Sequence, residues 1–377
     1  MRFLHTGDLH IGKTVNDFSM LEDQKYILGQ IINIVKKEKA EAVVIAGDIY
    51  DRAIPPAEAV TLLNDFLTQM VKLEVPVLLI SGNHDSPERV GFAAEILQDK
   101  GIYIAGVYKD ALKKVTFRDA YGEITFVLLP FIKPALVGAR TSGEAVEKLL
   151  TAEEDKGDIR RILVTHFFVT NKDREPELSD AETTIHVGGL DNVEASLLEG
   201  FDYVALGHIH KAQKIGEEQV YYAGAPLSYS FSEAGQRKTV NLVEIREKGE
   251  LSIEQISLSP LHEMRKIRGR MEELMADEVV EAADRFDYIQ AQLTDQDELI
   301  DPIGTLRCVY PNIMQVVLMK NADGASAEYE SKAPEKRKSI PELFAGFYQV
   351  IRNEEPDEER MAIIEETAKE TEGEERI

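Results

Sequence analysis

With 377 residues, 44% of them apolar, the chain is long enough for two or three units with cores of their own. Its formal net charge of −25 excludes a uniformly basic nucleic-acid binder, because phosphate attraction needs Lys and Arg. Cys308 is the lone cysteine, which excludes an intramolecular disulfide and any thiolate-rich metal site and fits a reducing cytosol. The opening MRFLHTGDLH lacks a basic stretch followed by an apolar one, and runs such as FVLLPFI fall short of the roughly 20 residues of a membrane span. The expectation is a soluble, cytoplasmic protein with no membrane contact.

Over the first 210 residues, short apolar runs bounded by Gly, Asn, Asp or His alternate with amphipathic stretches. FLHT, AVVIA, VPVLLI, RILVT and YVAL read as buried strands. EDQKYILGQIINIVKKEK places Ile27, Ile31, Ile34 and Val35 on one helical face, and Pro55 and Pro56 open a second helix through Leu73. That helix carries Val60, Leu62, Leu63, Phe66, Leu67, Met70 and Val71, a face wider than one core contact needs, which suits burial from two sides, either by self-association or by wedging between two layers of one chain. Strand and helix in alternation predict an α/β fold. VTFRDAYGEITFVLL reads as a hairpin, and QVYYAG, TVNLVEI and LSIEQIS read as antiparallel strands of a second sheet. Beyond Pro260 a helix (MEELMADEVVEAADR), a strand (DYIQAQLT), a short helix (PIGTLRCVY) and a strand (IMQVVLM) suggest a small separate α/β unit.

After Lys320 the composition turns polar, as in a linker. Ser339 and Glu342 then form a capping-box pattern ahead of an apolar face of Leu343, Phe344, Phe347, Val350 and Ile351. A tail from Glu354 to Arg376 holds eleven acids against three bases and so carries −8 of the net charge. Against this background RKIRGR, Arg265 to Arg270, is a local basic stretch, and Lys13, Arg89, Lys211 and Lys214 flank the strand ends described next.

The chemistry sits just beyond the strands. Asp8 and His10 follow FLHT, Asp48 follows AVVIAG, Asn83 and His84 follow VPVLLISG, His166 follows ILVT, and His208 and His210 follow YVALG. Strand C-termini share an edge in α/β sheets, so five strands aim these side chains at one place. Carboxylates, an amide and imidazoles without thiolates make a hard-to-borderline metal set. Eight side chains exceed one ordinary site but suit two divalent ions about 3.5 to 4 Å apart bridged by a carboxylate, the arrangement that hydrolyses phosphoesters. An imidazole outside the ligand set, His84, is placed to protonate the leaving alkoxide, with a carboxylate, Asp51 or Asp85, to orient it. Arg52 reads as a phosphate contact. His5, His186 and His262 read as structural.

Asp8-Leu9-His10, Gly47 to Arg52, Gly82 to Asp85, His166 and Gly207 to His210 together resemble the calcineurin-like metallophosphoesterases. The resemblance implies a four-layer α/β/β/α sandwich and a dinuclear site, often manganese. It implies Asp8, His10, Asp48 and His210 on one ion and Asp48, Asn83, His166 and His208 on the other, with Asp51 orienting His84. HTGDLHIGK, GDIYDRAIPP, SGNHDS, DYVALGHIHKAQ, AGAPLSYSFSE, AQLTD and LRCVYPN are similar to a bacterial branch of DNA nucleases. That branch shares Asp at the Asp51 position, where archaeal and eukaryotic members carry His. By this likeness the chain would be a double-strand exonuclease and hairpin endonuclease. It would act as a homodimer on DNA with an SMC-type coiled-coil ATPase. Residues 1–258 would form the nuclease domain, 259–322 a DNA-contacting cap and 323–377 a linker with a helical ATPase-binding tail. The competing expectations are a phosphoesterase for small or cyclic-nucleotide substrates and a catalytically silent scaffold.

Overall fold

The structure is a computed structural model that describes residues 1–151, 157, 159–172, 175–180, 182, 191–297, 299–319, 356–357 and 360–361. Met1–Lys320 form one compact unit, and Asn321–Ile377 count as a second. The linker after Lys320, the Ser339 helix and almost all of the acidic tail lie outside the described residues, as does His186.

Two six-stranded sheets face one another. The first runs Leu251–Ser257, Thr239–Ile245, Arg2–Thr6, Ala42–Ile45, Val77–Ile80 and Ile102–Ala105; the last four are mutually parallel. The second runs Gln213–Lys214, Val220–Tyr222, Tyr203–Gly207, Arg160–His166, Gly122–Leu129 and Lys113–Asp119, with its four central strands parallel.

The period-2 pattern of the strands dictates this stacking. Phe3, Val44, Leu78, Phe126, Val164 and Tyr203 point between the sheets into one buried cluster, where the Phe3 ring meets Phe126 edge-on at 5.2 Å. Their neighbours Leu4, Val43 and Ile45 turn outward onto the helices Leu21–Glu38 and Ala57–Lys72 through Ile27, Ile31, Leu63, Phe66 and Met70. On the other side Leu163, Val204 and Leu206 turn outward onto Val146 and Leu149 of the helix Ser142–Thr151. Four layers result, as the motifs imply, and each fully buried Leu, Ile or Phe contributes about 1.5–3 kcal/mol.

Three assignments change. Val220–Tyr222 is antiparallel to Gln213–Lys214, as expected, but parallel to Tyr203–Gly207, and Thr239–Ile245 with Leu251–Ser257 extend the first sheet beside Arg2–Thr6. Alternation says that a segment is a strand but not which strand it pairs with. MEELMADEVVEAADR forms two single helical turns, Met271–Leu274 and Asp277–Val280, because Ala276 between them is extended and only Leu274 is buried.

Met264–Gly269, Tyr288–Leu293 and Ile313–Leu318 form a parallel three-stranded sheet with its own core of Leu274, Ile289, Ala291, Leu293, Leu306, Tyr310 and Ile313. Met264, Tyr288 and Met314 on its opposite face join the cluster around Leu9, Ile11 and Met20, so this small unit is packed onto the sandwich. No helix among the described residues is long and apolar enough to cross a membrane.

At the end of the sandwich where the strand Arg160–His166 begins, a buried arginine rivets the sheets. Arg160 donates to both Asp119 oxygens, at 3.0 and 2.5 Å, and to the carbonyls of Ile245 and Arg246 across the gap, at 3.1 and 2.7 Å. Burial works to raise the Asp119 carboxyl, but the hydrogen bonds, led by that from Arg160, outweigh it and hold Asp119 well below the usual carboxylate range. Stability from this pair is therefore present above the ordinary carboxylate pKa and is lost as pH falls through the lowered one. Arg160→Ala should cost about 3–5 kcal/mol in urea unfolding at neutral pH, by breaking a buried ion pair and leaving the carbonyls of Ile245 and Arg246 without this donor, although Asp119 keeps the Met1 ammonium at 2.5 Å. The difference from the parent chain should shrink in acid below about pH 4. An unchanged neutral-pH midpoint would refute the rivet.

Candidate metal centre

Each site residue is delivered by a strand that stops and a backbone that turns sharply. Asp8, His10, Asp48 and His208 have φ of 51°, 43°, 48° and 102°, a conformation that costs a residue with a Cβ about 1 kcal/mol or more. Hydrogen bonds across the strand ends hold it: Asp8 N–H to Gly47 O at 3.1 Å and His10 N–H to Asp48 O at 2.9 Å. Glycine is required where loops touch. A Cβ on Gly82 would lie 2.1 Å from Asp48 Oδ1, and one on Gly207 would lie 1.9 Å from Ala46 O.

The pocket lies where the C-terminal edges of both sheets meet. Asp8, His10, Asp48, Asn83 and His84 come from the first sheet, and His166, His208 and His210 from the second. The His10 and His210 Nε2 atoms are 3.2 Å apart. Asp48 Oδ2 lies 3.6 Å from His10 Nε2 on one side and 3.3 Å from His166 Nε2 on the other. Asn83 Oδ1 accepts from His166 Nε2 at 2.9 Å and His208 Nδ1 at 3.0 Å. Both Asp8 oxygens accept the His208 backbone N–H, at 2.8 and 3.1 Å.

Three overlapping groups, Asp8 with His10 and His210, His10 with Asp48 and His84, and Asp8 with Asp48 and His166, keep their donor atoms within 4.8 Å of one another. Facing imidazole nitrogens, with carboxylate and amide oxygens crowded on the same point and no sulfur, fit a pair of divalent ions sharing Asp48 or Asp8.

The partners of these side chains fix their orientation. His166 Nδ1 donates to Ala46 O at 2.8 Å, which turns Nε2 into the pocket. His210 Nδ1 faces Glu233 at 3.4 Å, Glu233 is held by buried Lys238, and the His210 backbone N–H donates to Glu182. Gln24 donates to the carbonyls of His10 and Leu9, at 2.7 and 3.3 Å. Tyr229 donates to Leu9 O at 2.5 Å and stands edge-on to the His10 and His210 rings. Sequence reasoning missed Glu182, Glu233, Gln24 and Tyr229. Glu233 and Tyr229 lie within AGAPLSYSFSE, the one signal that marked them.

The tripeptide Asn83-His84-Asp85 divides its tasks. Asp85 is buried and accepts the N–H groups of Gly82, Ile49 and Tyr50 at 2.9–3.0 Å, tying its loop to the Asp48 loop. His84 gives its backbone N–H to Asp48 Oδ1 at 2.9 Å, and its Nδ1 donates to the main-chain carbonyl of Asp51 at 3.0 Å. The expected orienting carboxylate is thus replaced by a carbonyl. The Asp51 carboxylate takes Lys13 at 2.6 Å, with exposed Arg52 at 3.7 Å. His5 and His262 lie elsewhere: His5 is buried against the Tyr203 hydroxyl at 2.8 Å, and His262 bonds Asp23.

Burial pushes Asp8 up to about 7, against the pull of His166 and His210. Burial acts to lower His166, but Asp48 overrides it and holds the imidazolium to about 9. An ion bound here would have to displace these protons. Mn²⁺ affinity should therefore fall steeply as pH drops from the His166 value of about 9 through the Asp8 value of about 7, with proton release seen by calorimetry in buffers of different ionisation enthalpy. An affinity flat across that range would contradict the proton inventory.

Residues 1–212 match the calcineurin-like phosphoesterase family, and residues 260–352 match the family described as the type 5 capsule protein repressor C-terminal domain. The SbcD subunit of the SbcCD nuclease from Staphylococcus epidermidis is 31% identical over 324 residues, 83% of this chain and 84% of that one. Among solved structures, a Thermus thermophilus protein and a dimetal phosphatase from Danio rerio are each 13% identical at a TM-score of 0.41. These likenesses cover 67% and 69% of this chain and 98% of each of theirs.

Proposed function

The chain belongs to the calcineurin-like phosphoesterase family, in the branch of the SbcD nucleases, and from that premise we propose that it is a metal-dependent DNA phosphodiesterase. The observation that carries this reading is the convergence of donor side chains from five strand ends on Asp48, whose Oδ2 stands between His10 and His166. In it, Asp8, His10, Asp48 and His210 hold one ion, and Asp48, Asn83, His166 and His208 hold the other. When bound, the ions polarise a phosphoryl oxygen and acidify water, and manganese is the metal we favour.

The remaining work falls to the protein. Because a carbonyl only accepts, the Asp51 carbonyl keeps the proton of His84 on Nδ1. Nε2 is then the atom whose proton passes to the leaving alkoxide when the ring is cationic. Lys13 neutralises Asp51 beside the pocket, and Arg52, exposed and loosely paired, is free to reach a backbone phosphate.

Lys266 and Arg268 are exposed on the small parallel sheet, on the face opposite Ile267 and the unit's core, and supply the local positive charge that the chain's overall −25 lacks. This supports a reading of 259–322 as a DNA-contacting cap on a nuclease domain of 1–258, with 323–377 meeting an SbcC-like ATPase. The helix Ala57–Lys72 buries Leu63, Phe66 and Met70 yet exposes Val60, and Ile54 just before it is exposed as well, which supports a homodimer that uses this helix. The same reading assigns the protein to the cytosol and to DNA repair, recombination and replication.

Manganese-dependent cleavage of an end-labelled duplex should fall by about 10²–10⁴-fold in His84→Ala while Mn²⁺ binding persists. Undiminished cutting would remove His84 from the mechanism. Lys266→Glu with Arg268→Glu should weaken DNA binding and flatten its salt dependence, yet spare hydrolysis of bis(p-nitrophenyl) phosphate. Turnover of that dye with no cleavage of DNA by the parent chain would favour a small-molecule phosphoesterase instead.

A further inference from the structure

Two adjacent residues at the start of the helix Leu21–Glu38, Asp23 and Gln24, are both buried and make bonds in two different parts of the molecule. Gln24 grips the loop that carries His10. Its amide nitrogen donates to His10 O at 2.7 Å, to Leu9 O at 3.3 Å and to the Tyr229 hydroxyl at 3.1 Å, while its Oε1 accepts the Gly12 N–H at 2.9 Å. The helix start is fastened to the same loop, since Met20 N–H donates to Lys13 O and Lys13 N–H to His10 O, both at 3.0 Å.

Asp23 faces the small parallel sheet. Its carboxylate accepts the His262 backbone N–H and ring Nδ1, each at 3.0 Å, and the Tyr288 hydroxyl at 2.7 Å. The Tyr288 ring is flanked by His262 at 5.3 Å and by Phe18 at 6.2 Å, and it shares a buried cluster with Leu9, Ile11 and Met20. A fully buried carboxylate with three donors is costly to separate from them. A shift of the small sheet would therefore strain the Asp23 bonds, and Asp23 is joined to Gln24 through a single peptide link.

We propose that Asp23 and Gln24 form a coupler through which the cap sets the position of His10, with Gln24 the positioning residue and the Asp23–Tyr288–His262 triad its anchor. The inference rests on the functional reading above, in which His10 is a metal ligand. It gives a load on the cap, such as a duplex, a physical route to the metal pocket. The route needs no contact between that load and the pocket.

The test uses the full chain and three variants: Gln24→Ala, Tyr288→Phe, and Leu306→Ala as a control in the cap's own core. Hydrogen exchange of the Gly12 amide is followed in metal-free protein, and Mn²⁺ affinity by titration. Gln24→Ala should weaken Mn²⁺ by about 10–100-fold, as loss of a group that orients a ligand does. Tyr288→Phe keeps the ring but loses the bond to Asp23; it should speed Gly12 exchange and weaken Mn²⁺ by about three- to tenfold. Leu306→Ala should lower Tm while leaving both readouts at the parent value. If Tyr288→Phe leaves Gly12 exchange and Mn²⁺ affinity unchanged in a chain that binds the metal, the coupler is overturned alone. If Leu306→Ala moves both as far as Tyr288→Phe does, general destabilisation explains them and the coupler is again overturned. A parent chain that neither binds Mn²⁺ nor hydrolyses bis(p-nitrophenyl) phosphate would overturn the functional reading and the coupler with it.

Discussion

The hydrogen bond from His166 Nδ1 to the carbonyl of Ala46, at 2.8 Å, governs how the two sheets meet. Ala46 continues the strand Ala42–Ile45 of the first sheet, and His166 ends a central strand of the second. The bond works only because the chain beside it has no side chain: a Cβ on Gly207 would overlap the same carbonyl and crowd the His166 ring at 2.8 Å. His166 takes its orientation in the pocket from that contact. With Nδ1 committed to a carbonyl, His166 has one nitrogen left, and it points at Asp48 and Asn83.

Strain and charge are concentrated in the same small volume. Left-handed backbone at Asp8, His10, Asp48 and His208 is unfavourable by itself, as is burial of two carboxylates. Both are offset by bonds within the cluster, such as the Asp8 carboxylate to the His208 amide and the Asp48 carboxylate to the His84 amide. Asp48 shows the balance: burial works to raise its carboxyl, and the neighbouring imidazoles, His166 foremost, more than reverse this. A cation set would relieve the carboxylates in the same sense as those imidazoles do, which is why one geometry suits both.

The strand ends and their polar residues are legible in the sequence because apolar runs stop abruptly at Asp8, Asp48, Asn83, His166 and His208. Metal-binding chemistry restricts which residue types appear there. What stays hidden has no local signature of its role, even where, as for Glu233, a motif spans the residue. Glu182, Glu233 and Gln24 reach the pocket by tertiary folding alone, and an isolated Glu in a loop looks like any solvated one. In the sequence Asp85 and Asp51 are rivals to orient His84, yet Asp85 ties main-chain amides and the Asp51 side chain faces Lys13; one peptide carbonyl does the orienting. Backbone acceptors are present at every residue, so composition cannot announce them. The pairing of Thr239–Ile245 with Arg2–Thr6 is hidden for a related reason, since alternation encodes a face and not a neighbour.

The bond between the His208 amide and the Asp8 carboxylate joins residues 200 positions apart. Such separations raise contact order, and long loops must close before the contacts that reward closure can form. A chain synthesised from its N-terminus therefore carries Asp8, His10 and Asp48 for most of its synthesis as an incomplete half of a site. Under the proposed reading half a ligand set would bind ions weakly, and a nascent chain would stay hydrolytically silent until the strand Tyr203–Gly207 had emerged and docked. Splitting the pocket between two sheets would thus make its chemistry a late event in the chain's own maturation, gated by assembly of the sandwich itself.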